Sequence, residues 1–194
     1  MTPQERGCIA VFAKPPRPGQ AKTRLAPELG YAGAAALARA FFLDTWATVT
    51  RLSWAEAVLA TTDAAASEWS FLDRSRVWSQ GDGSLGHRLG RILGRALEQF
   101  PFAIAIGTDS PGLPTALLEA ARGALRESDA VLGPSDDGGF YLIGLRRSPP
   151  DLLTDLPWSA PDTFDATLRR LDSLGLDTTV LPPWFDVDRP DDLR

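Results

Sequence analysis

Four positively charged side chains lie close together in residues 12–25, which read FAKPPRPGQAKTRL: Lys14, Arg17, Lys22 and Arg24. The segment follows an apolar run, and prolines and Gly19 turn the chain between the charges. Lys and Arg on a glycine-containing loop can bind a di- or triphosphate through charge-assisted hydrogen bonds. A solvated loop is the alternative, but so many cations in an acidic chain favour an anionic ligand.

This basic segment matches neither of two common phosphate-binding patterns. Ala21 stands where a Walker loop needs glycine before Lys22-Thr23, and no Gly-x-Gly-x-x-Gly occurs here. We therefore predict a phosphate site of another type, with Gly19, Lys22 and Arg24 among its residues.

Acidic residues at two later positions are candidate metal ligands. Asp109 ends the apolar run FAIAIGTDS, where a carboxylate can bind a hard cation or simply cap a turn. Asp186 and Asp188 are two residues apart, so both face one side of an extended segment. Mg²⁺ or Mn²⁺ would neutralise such a pair. Asp188 can instead cap a helical turn, with Asp191 as its partner.

Two glycine-containing segments could contact the rest of a substrate. In GPSDDGGFYLIG, Asp136 and Asp137 either approach an acceptor or form a hairpin turn with Gly138. In SQGDGSLGHRLG, the loop around Gly86 could lie against a base or ribose, with Arg88 near phosphate.

The same loop contains the only histidine, His87, which we interpret as an exposed residue in a first helical turn that Ser84 caps. With a single histidine and no serine elbow, a hydrolase triad is not expected.

The elements that must position these residues alternate along the chain, which predicts an α/β sandwich around a mostly parallel sheet. We expect strands at 8–13, 55–62, 76–80, 102–110, 129–135, 139–145 and 178–182. We expect helices at 32–52, 64–71, 84–100, 114–128, 149–155 and 162–174. The adjacent strands within 129–145 imply one antiparallel excursion. Ligands of such sheets bind beyond the carboxyl ends of the strands, where the polar clusters should meet.

Composition excludes several classes of protein. The 194 residues suggest one domain, and a net charge of −5 argues against general nucleic-acid binding. No window is apolar enough for a membrane span, and the first residues have no signal core, so we expect a cytoplasmic protein. Cys8, the only cysteine, cannot form an internal disulfide and fits the core of a strand.

Several motifs occur in order over nearly the whole chain: AKPPRPGQAKTRL, FFLDT, GTDSPGLP, GPSDDGGFYLIGL, LPWS and WFDVDRPDDL. Together they resemble a bacterial family of glycosyltransferase A-type proteins, long catalogued as a domain of unknown function. That family is described as radical-SAM/selenodomain-associated transferases, or as arsenosugar-biosynthesis glycosyltransferase-like. The family loop Gly-Asp-Leu-Gly-Glu-Arg reads Gly-Ser-Leu-Gly-His-Arg here, and the Asp-x-Asp metal motif is absent at 107–109.

The resemblance implies a fold, a site and ligands. The fold is the nucleotide-diphospho-sugar transferase fold, a Rossmann-like three-layer α/β/α sandwich with one antiparallel strand, formed by residues 1–194 as a single domain. A nucleotide or nucleotide-sugar and Mg²⁺ or Mn²⁺ would occupy the cleft. The matching positions for the nucleotide are Phe12, Ala13, Lys14, Lys22 and Arg24, and those for the metal are Asp109 and Asp188.

Three functions remain open from the sequence. In a glycosyltransferase, Lys22 stabilises the departing diphosphate, and Asp136 or Asp137 activates the small-molecule acceptor. In a nucleotidyltransferase, which AKTRL suggests through its likeness to phospholactate guanylyltransferases, an acceptor phosphate releases pyrophosphate. A non-catalytic nucleotide-binding protein is the third possibility, against which the acidic residues argue.

Overall fold

The computed structural model describes residues 6–193. Its centre is a seven-stranded sheet in the order β3-β2-β1-β4-β6-β5-β7. In chain order the strands are β1 (Gly7–Ala13), β2 (Ala55–Thr61), β3 (Val77–Ser79), β4 (Ala103–Ile106), β5 (Ala130–Pro134), β6 (Phe140–Leu145) and β7 (Thr178–Val180). All neighbouring strands are parallel except that β6 runs antiparallel to β4 and β5. The predicted sheet is confirmed.

Four α-helices within residues 6–193 cover the two faces of this sheet: α1 (Ala26–Thr50), α2 (Leu85–Leu97), α3 (Thr115–Glu127) and α4 (Thr163–Ser173). Alternate residues of each strand point to opposite faces. On β1, Ile9 and Val11 pack in the core shared with α1 and α3, whereas Cys8 and Ala10 pack in the core shared with α2 and α4. The result is the expected three-layer α/β/α sandwich.

Two helix predictions differ from the structure. The predicted helix 149–155 is absent, and residues 150–155 form turns. Two prolines open the segment, and Asp151 and Asp155 adopt positive φ angles of 59° and 55°, which a helix does not allow. The predicted helix 64–71 is reduced to the 3-10 turn Ser67–Trp69. Helix α1 begins at Ala26, earlier than expected, but Gly30 (φ 67°, ψ 164°) breaks it, so its regular part starts close to the predicted position.

The parallel strands end at one edge of the sheet, which we call the carboxyl edge. Polar segments follow β1, β2, β3 and β4 at this edge, and the turn between β5 and β6 also lies there. No helix among the described residues is long and apolar enough to cross a membrane.

Candidate nucleotide and metal site at the carboxyl edge

Lys22 lies at the centre of the polar side chains on the carboxyl edge. Its side chain is only 5% exposed, and its ammonium Nζ lies 2.6 Å from Oδ1 of Asp109, which follows β4. The same Nζ donates a hydrogen bond to the carbonyl oxygen of Val187 and lies 4.0 Å from Oδ1 of Asp188. Lys22 therefore joins the loop after β1, the end of β4 and the late acidic segment.

Arg24 adds a second positive charge to this group. Its guanidinium donates to the carboxylate of Asp188, and both side chains are partly exposed. Asp188 thus lies between two cations. The structure brings together the four residues that carried the predicted phosphate and metal chemistry: Lys22, Arg24, Asp109 and Asp188.

Backbone contacts fix the position of the late acidic segment. The Val187 N–H donates to the carbonyl oxygen of Asp109 at 2.8 Å, which holds residues 186–188 beside the end of β4. The Val187 side chain is buried with Leu25 and Ala34, so the apolar side of this segment packs on the start of α1. Its polar neighbours, Asp186 and Asp188, are left facing the site.

The first half of the basic loop has a different arrangement. Arg17 is held by Glu68, with Nε 2.5 Å from Oε1, and by Asp63, so it anchors the loop to the segment after β2. Lys14 is exposed and makes no hydrogen bond or ion pair within residues 6–193. Gly19 has a φ of 76° with open space around it, as a turn residue requires.

At the end of β1, Ala13 is buried and Phe12 is half-buried. Both residues lie where the strand reaches the carboxyl edge, as the predicted nucleotide site requires. Their backbone, rather than the alanine side chain, is what the strand can offer to a ligand.

The turn between β5 and β6 presents Asp136 and Asp137 in different ways. Asp137 Oδ1 accepts hydrogen bonds from the Ser135 hydroxyl (2.6 Å) and from the Gly139 N–H (2.9 Å), so this carboxylate stabilises the turn. Asp136 is exposed and has no partner within residues 6–193. Asp137 therefore fits the interpretation as a turn residue, and Asp136 is free to approach an acceptor.

Asp186 has the most perturbed carboxyl group of the site. Burial, together with the nearby charges of Asp137 and Asp192, raises the pKa of Asp186 to about 6. The sequence suggested that a divalent ion would neutralise the pair Asp186 and Asp188, whereas the family resemblance assigned the metal to Asp109 and Asp188 only. The shifted pKa of Asp186 shows that the acidic residues after β5 and near the end of the chain lie close together.

The capping acid of the last turn differs from the expected one. Asp192 Oδ2 accepts from the N–H groups of Asp188 (2.9 Å) and Arg189 (2.7 Å), which closes the 3-10 turn Pro190–Leu193. The sequence had suggested Asp191 for this role. The Asp188 side chain is consequently directed to Arg24 and Lys22.

Helix α2 begins beside the site with Ser84 as its N-cap. The Ser84 hydroxyl accepts from the His87 N–H, and its Oγ lies 2.8 Å from His87 Nδ1. Arg88 donates from Nε to the Gly83 carbonyl at 2.9 Å. Gly86 is buried, and a Cβ added there would lie 1.8 Å from the Leu153 carbonyl oxygen. Close packing against this carbonyl is therefore a sufficient reason for a glycine at position 86.

The acidic residues have the chemistry but not the number expected of a complete protein-only metal site. Within residues 6–193 there is no group of three or more His, Cys, Asp or Glu placed to hold a metal ion. The carboxylates of Asp109 and Asp188 nevertheless lie near the same ammonium, with Oδ1 atoms 2.6 Å and 4.0 Å from Lys22 Nζ. Mg²⁺ is commonly held by one or two carboxylates together with water and substrate phosphates, so this pair fits such an ion.

Comparison with protein families gives one match. The family described as "Uncharacterized protein conserved in bacteria (DUF2064)" matches residues 44–160. No curated protein sequence matches the chain.

Solved structures share the fold. A candidate nucleotide-diphospho-sugar transferase from Desulfovibrio desulfuricans G20 is 32% identical, with a TM-score of 0.89 over 100% of this chain and 85% of that one. A 4-diphosphocytidyl-2C-methyl-D-erythritol synthase from Anaerococcus prevotii is 12% identical, with a TM-score of 0.64 over 97% and 93%. Glucosyl-3-phosphoglycerate synthase from Mycobacterium tuberculosis, in complex with Mg²⁺ and UDP, is 14% identical, with a TM-score of 0.53 over 97% and 74%.

Proposed function

We propose, since the chain belongs to the bacterial DUF2064 family and has the nucleotide-diphospho-sugar transferase fold, that it is a metal-dependent glycosyltransferase. It transfers a sugar from a nucleoside-diphosphate donor to a small acceptor. The observation that carries the proposal is the meeting of Lys22 and Arg24 with Asp109 and Asp188 at the carboxyl edge.

The basic side chains supply the binding of the donor diphosphate. Lys22 and Arg24 offer several N–H donors within one small region, and charge-assisted hydrogen bonds to phosphate oxygens are stronger than neutral ones. Lys14, exposed and close in sequence, adds a further cation. During transfer these cations stabilise the charge that develops on the departing nucleoside diphosphate.

Asp109 and Asp188 would hold the divalent ion. That ion supplies Lewis-acid stabilisation of the phosphate oxygens when it is bound. When bound, the ion would also offset the repulsion between these carboxylates and the phosphates of the ligand.

Asp136 is the best candidate for the base that receives the acceptor proton. It is exposed and unpartnered within residues 6–193, whereas Asp137 uses its Oδ1 in the turn. The acceptor oxygen forms a bond to the anomeric carbon as the bond from that carbon to the diphosphate oxygen breaks. The acceptor proton passes to the Asp136 carboxylate.

A nucleotidyltransferase is the second candidate, supported by the similarity of the fold to a 2-C-methyl-D-erythritol 4-phosphate cytidylyltransferase from Thermus thermophilus. In that reaction an acceptor phosphate forms a bond to the α-phosphorus of a nucleoside triphosphate, and pyrophosphate leaves. The same cations and carboxylates would serve this reaction, so an experiment with different nucleotides must distinguish glycosyl transfer from nucleotidyl transfer.

A thermal-shift panel of nucleotides tests the proposal. Nucleoside diphosphates or nucleotide-sugars with Mn²⁺ should raise the melting temperature, whereas triphosphates should not. A ligand at one hundred times its Kd contributes about 2.7 kcal/mol, which corresponds to about 5–10 °C for a protein of this size. Pyrophosphate release from triphosphates with phosphorylated acceptors would favour the second candidate. A panel without any response would contradict both.

Two variants connect this panel to the site. Asp109→Ala and Lys22→Ala should each reduce the nucleotide-dependent shift by at least half. Asp172→Ala is the control, because Asp172 is exposed near the end of α4, away from the carboxyl edge. Unchanged shifts in both site variants would show that the nucleotide binds elsewhere.

A further inference from the structure

Lys22 is an unusual lysine because its charge is almost completely enclosed. Its side chain is 5% exposed, whereas the side chain of its partner Asp109 is 57% exposed. A buried ammonium is stable only when its donors are paired. Here they are paired with Asp109 and the Val187 carbonyl, with Asp188 at 4.0 Å.

The two carboxylates that Lys22 neutralises are the two that we assign to the divalent ion. An ammonium and a metal ion cannot both bind Asp109 Oδ1 closely, because like charges a few ångströms apart repel strongly in a partly buried site. When the ion binds Asp109 and Asp188, Lys22 must lose these partners and find other acceptors.

The oxygens of a nucleoside diphosphate are suitable new acceptors. We propose that Lys22 is an exchangeable counter-ion. In the free protein it neutralises Asp109 and Asp188, and on binding of a metal–nucleoside diphosphate it releases them to the metal and pairs with phosphate. This inference rests on the proposed function. It predicts that the metal alone binds weakly and that the diphosphate strengthens metal binding.

The surroundings of Lys22 confine the exchange to its side chain. Its backbone has a φ of 48° and precedes the 3-10 turn Thr23–Leu25, whose Leu25 is fully buried. The centroid of the Phe41 ring lies 5.6 Å from Nζ, within cation–π range. The flexible stem can therefore redirect the charge while the loop stays in place.

Metal binding without nucleotide tests the exchange. The probe is Mn²⁺ alone, followed by the loss of the free-ion signal in electron paramagnetic resonance. Lys22→Gln should bind Mn²⁺ about ten-fold more tightly than the unmodified protein, because the competing charge is gone. Gln can still donate to the Val187 carbonyl, and Lys22→Met serves as a second variant.

Arg126→Gln is the control, because it removes one positive charge at an exposed position in the last turn of α3, away from the carboxyl edge. It should leave the affinity for Mn²⁺ alone within about two-fold of the unmodified protein. If Lys22→Gln and Lys22→Met bind Mn²⁺ no more tightly than this control, the exchange is wrong, even where the nucleotide panel supports the proposed function. If the Lys22 variants bind Mn²⁺ more tightly but no nucleotide shifts the melting temperature, the competition between Lys22 and the metal is supported and the proposed function is contradicted.

A second measurement uses the unmodified protein, so it does not depend on the folding of a variant. Lysine occurs only at positions 14 and 22, and acylation at each can be followed by mass spectrometry. Mn²⁺ alone should raise the labelling of Lys22 relative to Lys14, and UDP added with Mn²⁺ should lower the labelling of Lys22 again. A ratio that stays constant at every Mn²⁺ concentration that occupies the site would overturn the proposal.

Discussion

Arg17 shows that charged residues of one loop can have separate roles. Its guanidinium makes two hydrogen bonds to Glu68 and one to Asp63, whereas Lys22 and Arg24, a few residues later, contact the acids of the site. Bidentate pairing to a carboxylate fixes both partners in orientation. Arg17 therefore holds the loop in place so that the later cations reach the carboxyl edge.

The pH dependence of stability tests this role of Arg17. Its hydrogen bond lowers the pKa of Glu68 from 4.5 to about 2. The stabilisation is therefore fully present above pH 4.5 and is lost as the pH falls toward 2. Glu68→Gln should melt a few degrees lower than the unmodified protein at pH 7, and this difference should shrink to zero near pH 2.

The matched control for this prediction is Glu98→Gln, since Glu98 is exposed and has no ion pair within residues 6–193. Its melting temperature should follow that of the unmodified protein at both pH values. A Glu68→Gln difference that is equally large at pH 2 and pH 7 would mean that Glu68 acts through packing rather than through charge.

Individual residues differ in how far the sequence predicts them. The charges of Lys22, Arg24, Asp109 and Asp188 were visible because their types and their positions after strands are local features. The partners of Arg17 were not, because Glu68 is 51 positions away and nothing local connects the two. The carbonyl of Val187 was also missed, since any residue has a carbonyl and only the fold places this one beside Lys22.

At the scale of elements, helix α2 combines an amphipathic pattern with one position of close backbone packing. Its buried residues Leu89, Ile92 and Leu93 face the sheet, whereas Gly86 touches the turns that follow Leu153. The added Cβ at Gly86 would meet backbone, which cannot move as a side chain does. The start of α2 can therefore approach the Leu153 carbonyl this closely only because residue 86 has no side chain.

Gly86→Ala should accordingly destabilise the protein by about 1–3 kcal/mol, the usual cost of overpacking. Urea denaturation followed by circular dichroism measures the change. Gly94→Ala, in the same helix, is the matched comparison, because its Cβ would meet nothing within 4 Å. It should stabilise by about 0.5–1 kcal/mol through helix propensity. Equal effects of the two substitutions would contradict the contact with Leu153.

The sequence predicts α1 to α4 well because each has apolar residues at helical spacing. The helix prediction is wrong where residues in turns happen to have the same apolar spacing. Residues 149–155 have leucines at suitable positions, yet Asp151 and Asp155 take the left-handed conformation. Leu152 and Leu153 are buried all the same. Their apolar character was therefore a correct sign of burial, but the helix predicted from it was wrong.

On the scale of the whole molecule, the position of strand β6 in the sheet could not be predicted from the sequence. Adjacency of β5 and β6 in the chain predicts an antiparallel pair, and the structure contains it. The sequence does not reveal that β6 also inserts between β5 and β4, which separates β5 from the first four strands. That position depends on the summed packing of both faces, which no local pattern encodes.

Cys8 offers a test of how cooperatively this sheet unfolds. It lies on the interior strand β1, it is fully buried, and burial raises the pKa of its thiol to about 12. Thiol reagents attack the thiolate, so labelling of the native protein requires the sheet to open. Labelling should be about 10³-fold or more slower than in guanidinium chloride.

Because Cys8 is the only cysteine, a single absorbance change with an aromatic disulfide reagent reports the reaction. Cys8→Ser should give no signal. If native labelling proceeds within a few-fold of the denatured rate, β1 opens locally and does not belong to the most stable part of the fold.

The contacts of the site have a consequence for protein synthesis. Arg24 and Asp188 are 164 positions apart, and Lys22 reaches a carbonyl 165 positions away. A ribosome releases the first of these residues long before it has translated the last. A nascent chain that lacks residues 186–188 holds Lys22 and Arg24 without these partners, so the nucleotide binding proposed for this site must await the translation of residues 186–188.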